Sequence, residues 1–268
     1  MIFGRKVKLQ FGLYDQKLIE ISGLRVQFKS KLDNSSELNE SEVIVYNLND
    51  DSLNKLQVGK SEFKLFAGYH KEIGLISRGD VTHVNSSRVG SDRVTTVRFK
   101  DGKRGLEEVY SETFPENTKV IDVINSVTKQ VKFEEMGKTA LEELFNNDIF
   151  KNGISLTGTA ENILEDVNKQ LEKQWSIQNN KLNIIDKKTK TNLDNKLFKL
   201  KPQHVLSIES DEAKKVISTF LDSRFMIGGE LTLNSEKVNL RGVIEEISHV
   251  GDTHESEFKS SVKIKINN

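Results

Sequence analysis

Two segments near opposite ends of the chain carry the same succession of β-strand features. Each has a Gly-led strand, an Arg-Gly pair, a Ser/Thr-His-Val triplet, a polar turn and an alternating final strand, over residues 59–99 and 228–266. Thr82-His83-Val84 in the first segment matches Ser248-His249-Val250 in the second. The pattern favours a duplicated β scaffold, and a chance likeness between two unrelated β-meanders is the alternative.

The composition is that of a folded chain with balanced charge. Its 268 residues can form one large domain or two to three small ones. Forty basic and forty acidic residues cancel, so no chain-wide positive field for nucleic acid exists. The absence of cysteine excludes disulfides, thiolate metal sites and a cysteine nucleophile. No apolar run is long enough for a signal peptide or a membrane helix, so we expect no membrane anchor.

The first hundred residues alternate between apolar and polar positions, as half-buried strands do. Residues 79–99 predict a long hairpin with its tip at 86–92. The polar stretch at 30–41 predicts a loop, because Asn, Asp and Ser side chains compete for backbone hydrogen bonds. This part of the chain is therefore predicted to be a β unit that ends near residue 105.

The middle of the chain changes to helical periodicity. Apolar stripes predict helices at 118–129 and 160–171, the second capped by Thr159, and a short helix near Leu141, Leu144 and Phe145. Asn179-Asn180 between two alternating runs predicts a tight hairpin, because Asn tolerates a positive φ. We therefore expect an α+β unit here. The charged segment 187–202 is predicted to be an irregular connector, and strands resume at residue 204.

One polar cluster near the C-terminus invites a metal-site interpretation. His249, Asp252 and His254 lie within six residues, but no Cys ligand or helically spaced His pair accompanies them. We therefore expect a polar hairpin turn, with His249 and its counterpart His83 partly buried and hydrogen-bonded. No metal and no cofactor are predicted.

Motifs that would indicate catalysis are weak. Acid doublets occur at 107–108, 134–135, 142–143 and 245–246, but neighbours in sequence do not face each other across a cleft, so we expect solvated surface. Ser52-x-x-Lys55 and Ser256-x-x-Lys259 lack the helix and companion motifs of a serine-lysine nucleophile. We predict no catalytic residues.

Three further features have simple structural interpretations. Arg78-Gly79-Asp80 opens an alternating run, where it would be extended rather than displayed on a loop. Trp175 begins a predicted hairpin and is expected in the core of a small sheet rather than at a sugar or base. Lys187, Lys188 and Lys190 are expected in a solvated linker, and contact with DNA is the alternative.

The order of these pieces resembles the baseplate hub proteins of contractile phage tails and related injection machines. The likeness rests on the N-terminal EVIVYNLNDDSLNKL, FKLFAGY and ISRGDVTHV, on a middle helix followed by the Trp175 hairpin, and on the C-terminal Gly228-Gly229 and His249-Val250-Gly251-Asp252-Thr253. It covers nearly the whole chain by pattern and order, without a catalytic signature.

The resemblance implies two tube-like β-barrel domains, 1–105 and 191–268, that flank an α+β domain at 106–190. It implies a homotrimeric ring that joins the six-fold tail tube to a three-fold spike on a separate chain, in the tail baseplate of a virion assembled in the host cytoplasm. Implied partners are tube or tube-initiator proteins, the trimeric spike, other baseplate proteins, the tape-measure protein and DNA in the lumen.

Other function classes remain open from the sequence. One is a six-fold distal tail or tube-initiator protein, and another is a tail protein that binds or degrades cell-wall glycan. A third is an unrelated β-rich binding module, for which the internal repeat would be accidental.

Overall fold

The protein is mainly β, as the sequence predicts, with an α+β insertion. The computed structural model describes residues 4–70, 72–130, 145, 148–186, 197–211, 214–236 and 238–266. The short helix predicted near Leu141 and Leu144 and the lysines at 187–190 lie outside these ranges. Phe145 is described and is buried.

The N-terminal β unit comprises seven strands and one short helix. These elements are β1 (Arg5–Leu13), β2 (Ile19–Ser22), β3 (Val26–Asp33), β4 (Glu40–Tyr46), α1 (Asp50–Leu53), β5 (Ser61–Tyr69), β6 (Glu72–Val89) and β7 (Asp92–Lys100).

The α+β unit follows directly. Its elements are α2 (Lys103–Glu107), β8 (Val109–Phe114), β9 (Thr118–Lys119), α3 (Val120–Gln130), β10 (Ile149–Phe150), β11 (Ile154–Thr159), α4 (Ala160–Gln170), β12 (Lys173–Gln178) and β13 (Lys181–Asp186). Thr159 caps α4, because its side chain accepts a hydrogen bond from the Asn162 amide. Asn179 and Asn180 both have positive φ in the turn between β12 and β13. The predicted helices at 118–129 and 160–171 and the Asn-Asn hairpin are confirmed.

The C-terminal β unit returns to strands. It comprises β14 (Leu197–Leu200), a 3-10 turn at Pro202–His204, β15 (Val205–Asp211), β16 (Lys214–Phe220), β17 (Glu230–Asn234), β18 (Asn239–Asp252) and β19 (Phe258–Ile266).

A single hydrogen-bonded sheet of 13 strands connects the two β units. Its main path is β15-β16-β19-β18-β3-β4-β7-β6-β5-β1-β2, and β17 pairs with both β14 and β18. Within this sheet the two β units are joined by the antiparallel pairing of β3 with β18.

Three hydrophobic clusters lie beneath these elements. One fills the N-terminal β unit, a second the C-terminal β unit, and the third holds α3 and α4 against the small sheets of the α+β unit. β3 contributes to two of them, because Phe28 packs in the first and Leu32 in the second. β19 does the same with Phe258 and Val262.

Three local sequence predictions need correction. The loop predicted at 30–41 is shorter, because β3 continues to Asp33 and β4 begins at Glu40. The hairpin tip predicted at 86–92 is only the turn after Val89, since Val89 pairs with Asp92. The connector predicted at 187–202 contains β14, which pairs in parallel with β17.

The two β units share a five-strand pattern, which supports the duplication. In hydrogen-bonded order, β3-β4-β7-β6-β5 corresponds to β15-β16-β19-β18-β17, and every neighbouring pair is antiparallel. We call this pattern the shared five-strand unit.

The Arg-Gly pair occupies the same place in both copies. A Cβ on Gly79 would lie 2.3 Å from the carbonyl oxygen of Lys100, and one on Gly242 would lie 2.4 Å from that of Lys265. Real Cβ atoms do not approach a carbonyl oxygen so closely, so both sites require glycine. The same close approach between strands is thus built twice.

The Gly that precedes the first strand of each repeat is also equivalent. Gly59 donates its N–H to the Val81 carbonyl at 2.9 Å, and Gly228 donates to the Ile244 carbonyl at 2.8 Å. Both glycines have positive φ, a conformation that costs glycine little. The glycine that begins each sequence repeat therefore has the same conformation and the same backbone hydrogen bond in both copies.

The proposed match between the two histidines is wrong by three residues. Each long strand has a bulge three residues after its Arg-Gly glycine, at Thr82 in β6 and at Glu245 in β18. His83 therefore corresponds to Glu246 and is exposed, whereas His249 is buried three residues further along. The sequence comparison had aligned the two strands on the short Ser/Thr-His-Val likeness, which is three residues away from the alignment that the hydrogen bonds show.

Candidate assembly interface

The junction most relevant to assembly is the one where β3 of the N-terminal β unit pairs with β18 of the C-terminal β unit. We call this pairing the seam. Seven residue pairs run along it, from Glu246 opposite Asp33 to Asp252 opposite Gln27. The partners lie more than 200 residues apart in sequence. The seam shows how one shared five-strand unit joins another.

Asp252 fixes one end of the seam. Its Oδ2 accepts hydrogen bonds from Arg25 at 2.9 Å and Gln27 at 2.8 Å, and its Oδ1 accepts from the His254 amide at 2.8 Å. Burial alone would raise the pKa of Asp252, but these bonds hold it well below its usual range. The Thr253 hydroxyl accepts the Val26 N–H at 3.0 Å. This turn, which the sequence predicted to be a polar hairpin turn rather than a metal site, holds β18 against β3.

His249 lies in the middle of the seam with its ring fully buried. Its Nδ1 is 2.8 Å from the Ser260 hydroxyl, which itself accepts the Asp222 amide N–H at 2.9 Å. Burial lowers the pKa of His249 to about 4, although the nearby Asp222 carboxylate raises it. The ring is therefore neutral at physiological pH. His249 is hydrogen-bonded as predicted but is fully rather than partly buried, and the prediction of partial burial is wrong for the exposed His83.

A second junction holds the α+β unit against the N-terminal β unit. The buried carboxylate of Asp101 accepts the backbone N–H groups of Asn179 and Asn180 at the tip of the β12–β13 hairpin. Burial raises the pKa of Asp101 to about 7, although both N–H groups lower it. The Asn39 side chain donates to the Ile177 carbonyl at 2.8 Å. The Asn179-Asn180 turn therefore reverses the chain between β12 and β13 and also binds the α+β unit to Asp101 of the N-terminal β unit.

The other residues considered as metal ligands or catalytic acids do not come together in a common site among the described residues. The His254 ring lies 2.9 Å from the Thr253 hydroxyl rather than near His249. Within the described ranges, no group of three or more His, Asp or Glu side chains could hold a metal ion. Of the acid doublets, 107–108 is exposed as expected, and 134–135 and 142–143 lie outside the described residues.

Glu245 departs from the expectation of solvated surface. It is the bulged residue of β18, is only 6% exposed and forms an ion pair with Lys214 at 2.8 Å. The adjacent Glu246 is more open and pairs with Lys31 at 3.5 Å. The doublet spans both sides of the strand, so it cannot act as a facing carboxylate pair.

Arg78-Gly79-Asp80 lies within β6 and is extended, as predicted. Arg78 pairs with Glu62 on β5, which matches the pairing of Arg241 with Glu230 in the other repeat. Asp80 accepts the Tyr14 hydroxyl at 2.6 Å. The charged side chains of this motif are therefore engaged in contacts within the N-terminal β unit.

The serine-lysine pairs do not form a nucleophile site. Ser52 is buried within the four-residue α1, and Lys55 follows that helix. Lys259 forms an ion pair with Glu257 rather than reaching Ser256.

Trp175 is in the core of the small sheet, as predicted. It is 2% exposed, lies opposite Ile184 and donates its Nε1–H to Glu165 at 2.9 Å. The residues that sequence reasoning missed are Asp101 and Arg25. Neither carried a motif, since each acts through a partner that is distant in sequence.

Among the described helices, none has the length and apolar character needed to cross a bilayer. No protein-family model and no curated protein sequence matches the chain.

Solved structures with the same fold come from tail and secretion machinery. A tail protein from Neisseria meningitidis MC58 has a TM-score of 0.64 at 7% identity, over 99% of this chain and 97% of that one. A 43 kDa tail protein of prophage MuSo2 from Shewanella oneidensis has a TM-score of 0.62 at 10% identity, over 96% and 98%.

A third solved structure is the E. coli c3393 protein, described as a component of the type VI secretion system with structural similarity to the T4 bacteriophage tail proteins gp27 and gp5. It has a TM-score of 0.57 at 8% identity, over 92% of this chain and 74% of that one. At such low identity these likenesses establish the fold alone. The chain therefore has, along nearly its whole length, the fold of phage tail proteins and of a type VI secretion component.

Proposed function

We propose that the protein is a structural baseplate hub of a contractile tail, a homotrimeric ring that adapts the six-fold tail tube to a three-fold central spike. Its role is mechanical and includes no catalysis. Its partners are tube or tube-initiator proteins above, the spike below, and other baseplate proteins around it. The ring would lie in the tail baseplate of the particle.

The observation that carries this proposal is the duplicated five-strand unit within a fold shared end to end with tail proteins. Three copies of a chain with two similar units present six similar faces, which matches a six-fold tube. The copies themselves remain related by a three-fold axis, which matches a trimeric spike.

We also propose the division into domains 1–105, 106–190 and 191–268. Three separate hydrophobic clusters support it, because each lies mainly in one of these ranges. The paired β3 and β18 would make the two outer domains one rigid body.

Light scattering across a range of concentrations tests the hub. A trimer has a mass of about 91 kDa, three times 30.4 kDa. Binding of a trimeric spike protein to that species would complete the test.

The other assemblies give different masses. Six copies would favour the tube-initiator alternative, because that protein matches the tube one to one. A monomer at every concentration, with no affinity for tail parts, would contradict the hub and favour an isolated binding module.

A further inference from the structure

The shared five-strand unit has an outer strand whose second edge is paired in one copy and, among the described strands, unpaired in the other. In the N-terminal β unit this strand is β3, which pairs with β4 on one side and with β18 on the other. Its counterpart in the C-terminal β unit is β15. Among the described residues, β15 pairs only with β16, so its second edge is open.

The complementary edge is also present and, among the described strands, is unpaired. The second half of β18, Glu246–Asp252, pairs with β19 on one side and β3 on the other. The bulges align this half of β18 with the second half of β6, residues 83–89. That segment pairs with β7, and no other described strand pairs with it, because the pairing of β5 with β6 ends at Asp80.

We propose that β15 of one copy of this chain pairs, antiparallel, with residues 83–89 of β6 in the next copy, in the register that β3 and β18 use within one chain. The proposal deepens the ring assembly proposed above and rests on it. Each copy then offers one edge to each neighbour, which is the head-to-tail arrangement that closes a ring.

The equivalences fix which residues face each other. The seam within the chain places Lys29 opposite Val250 and Ser30 opposite His249. By the hydrogen-bond alignment of the two copies, Glu209 and Ser210 of β15 take the places of Lys29 and Ser30. Ser87 and Ser86 of β6 take the places of Val250 and His249. The proposed junction therefore places Glu209 opposite Ser87 and Ser210 opposite Ser86.

Both open edges lack the usual protection against pairing. Exposed edges are commonly blunted by Lys or Pro, and neither residue occurs in β15 or in 83–89 of β6. Leu206 on β15 is 51% exposed and Val89 at the end of β6 is 63% exposed. The proposed register brings these two apolar side chains to the same end of the junction.

The two edges also differ in charge. β15 contains Glu209 and Asp211 and no basic residue, whereas 83–89 contains His83 and Arg88 and no acidic residue. Opposite signs favour pairing between the two edges over pairing of either edge with itself. This asymmetry supports a head-to-tail contact.

Engineered disulfides test the junction, because the chain has no cysteine of its own. The two test variants are Ser87→Cys with Glu209→Cys, and Ser86→Cys with Ser210→Cys. Successive antiparallel pairs alternate between Cα separations of about 4.5 and 5.5 Å, so these neighbouring pairs sample both. Both separations lie within disulfide reach.

Two controls calibrate the measurement. Lys29→Cys with Val250→Cys is the equivalent of the Ser87 and Glu209 pair within one chain, and it should close without linking chains. Asn85→Cys with Glu209→Cys shifts the pair by two residues, to a diagonal separation of about 7 to 8 Å. It should remain largely unlinked.

The expected result is covalent dimers and trimers on a denaturing gel for at least one test pair, which disappear on reduction. The junction is overturned if the protein is a trimer by light scattering and the control within the chain closes, yet neither test pair links; the hub would survive that result. Linked closed hexamers would support the junction and overturn the trimeric hub. A monomer at the highest attainable concentration, with no links, would contradict both.

Discussion

Acidification should weaken the fold through His249. The ring is buried and neutral, with its pKa lowered to about 4 from an ordinary value of 6.5. Between these values the folded protein binds fewer protons than the unfolded chain, so stability falls as pH falls. A difference of about 2.5 pKa units at about 1.36 kcal/mol each gives about 3 kcal/mol lost between pH 7 and pH 4.

Carboxylates throughout the chain also titrate in this range, so the measurement must be a comparison. His249→Asn keeps an acceptor near the position of Nδ1 for the Ser260 hydroxyl and removes the titrating ring. It should cost stability at pH 7 through lost packing, but its urea-unfolding free energy should fall by about 3 kcal/mol less than that of the original protein on acidification. Equal losses in the two proteins would refute the assignment of His249 as a buried neutral group.

Two further perturbations test the seam and the α+β core. Arg25→Met leaves the buried Asp252 carboxylate without its cationic partner and should lower the unfolding free energy by about 1 to 3 kcal/mol, whereas Arg98→Met removes an exposed ion pair and should cost less than about 1 kcal/mol. Equal costs in chemical denaturation would contradict the structural role of Arg25. Trp175→Phe leaves Glu165 without its indole donor and should lower the unfolding free energy by about 1 kcal/mol. In the unmodified protein, Trp175 is the only tryptophan, so its fluorescence should be that of a buried indole and should shift to the red on unfolding. Emission typical of exposed indole in the folded protein would contradict its burial.

Periodicity was enough to predict the helices, because an apolar stripe at helical spacing depends on local sequence. α3 and α4 begin within two residues of their predicted starts. The Asn179-Asn180 turn was predictable for the same reason, since positive φ is a property of a few residue types.

Strand partners were not predictable, because alternation marks a strand without naming what it pairs with. The contact of β3 with β18 joins residues more than 200 positions apart. The misalignment of His83 with His249 has a different origin. Both strands carry a bulge at the same distance from the Arg-Gly glycine, so His83 aligns with Glu246, and only a short Ser/Thr-His-Val likeness matched it to His249. The buried Asp101 was likewise invisible, because its partners belong to another unit.

The strands that pass through two cores have a mechanical consequence. Phe28 and Leu32 anchor β3 in separate clusters, so the strand cannot slide past β18 without withdrawing side chains from both. A pull along the strands loads all seven pairs in shear at once, while Arg25 and Asp252 oppose peeling from one end. In the proposed hub ring, which would have to withstand a sudden axial stroke, such a seam would transmit force between the two β units of each copy without sliding.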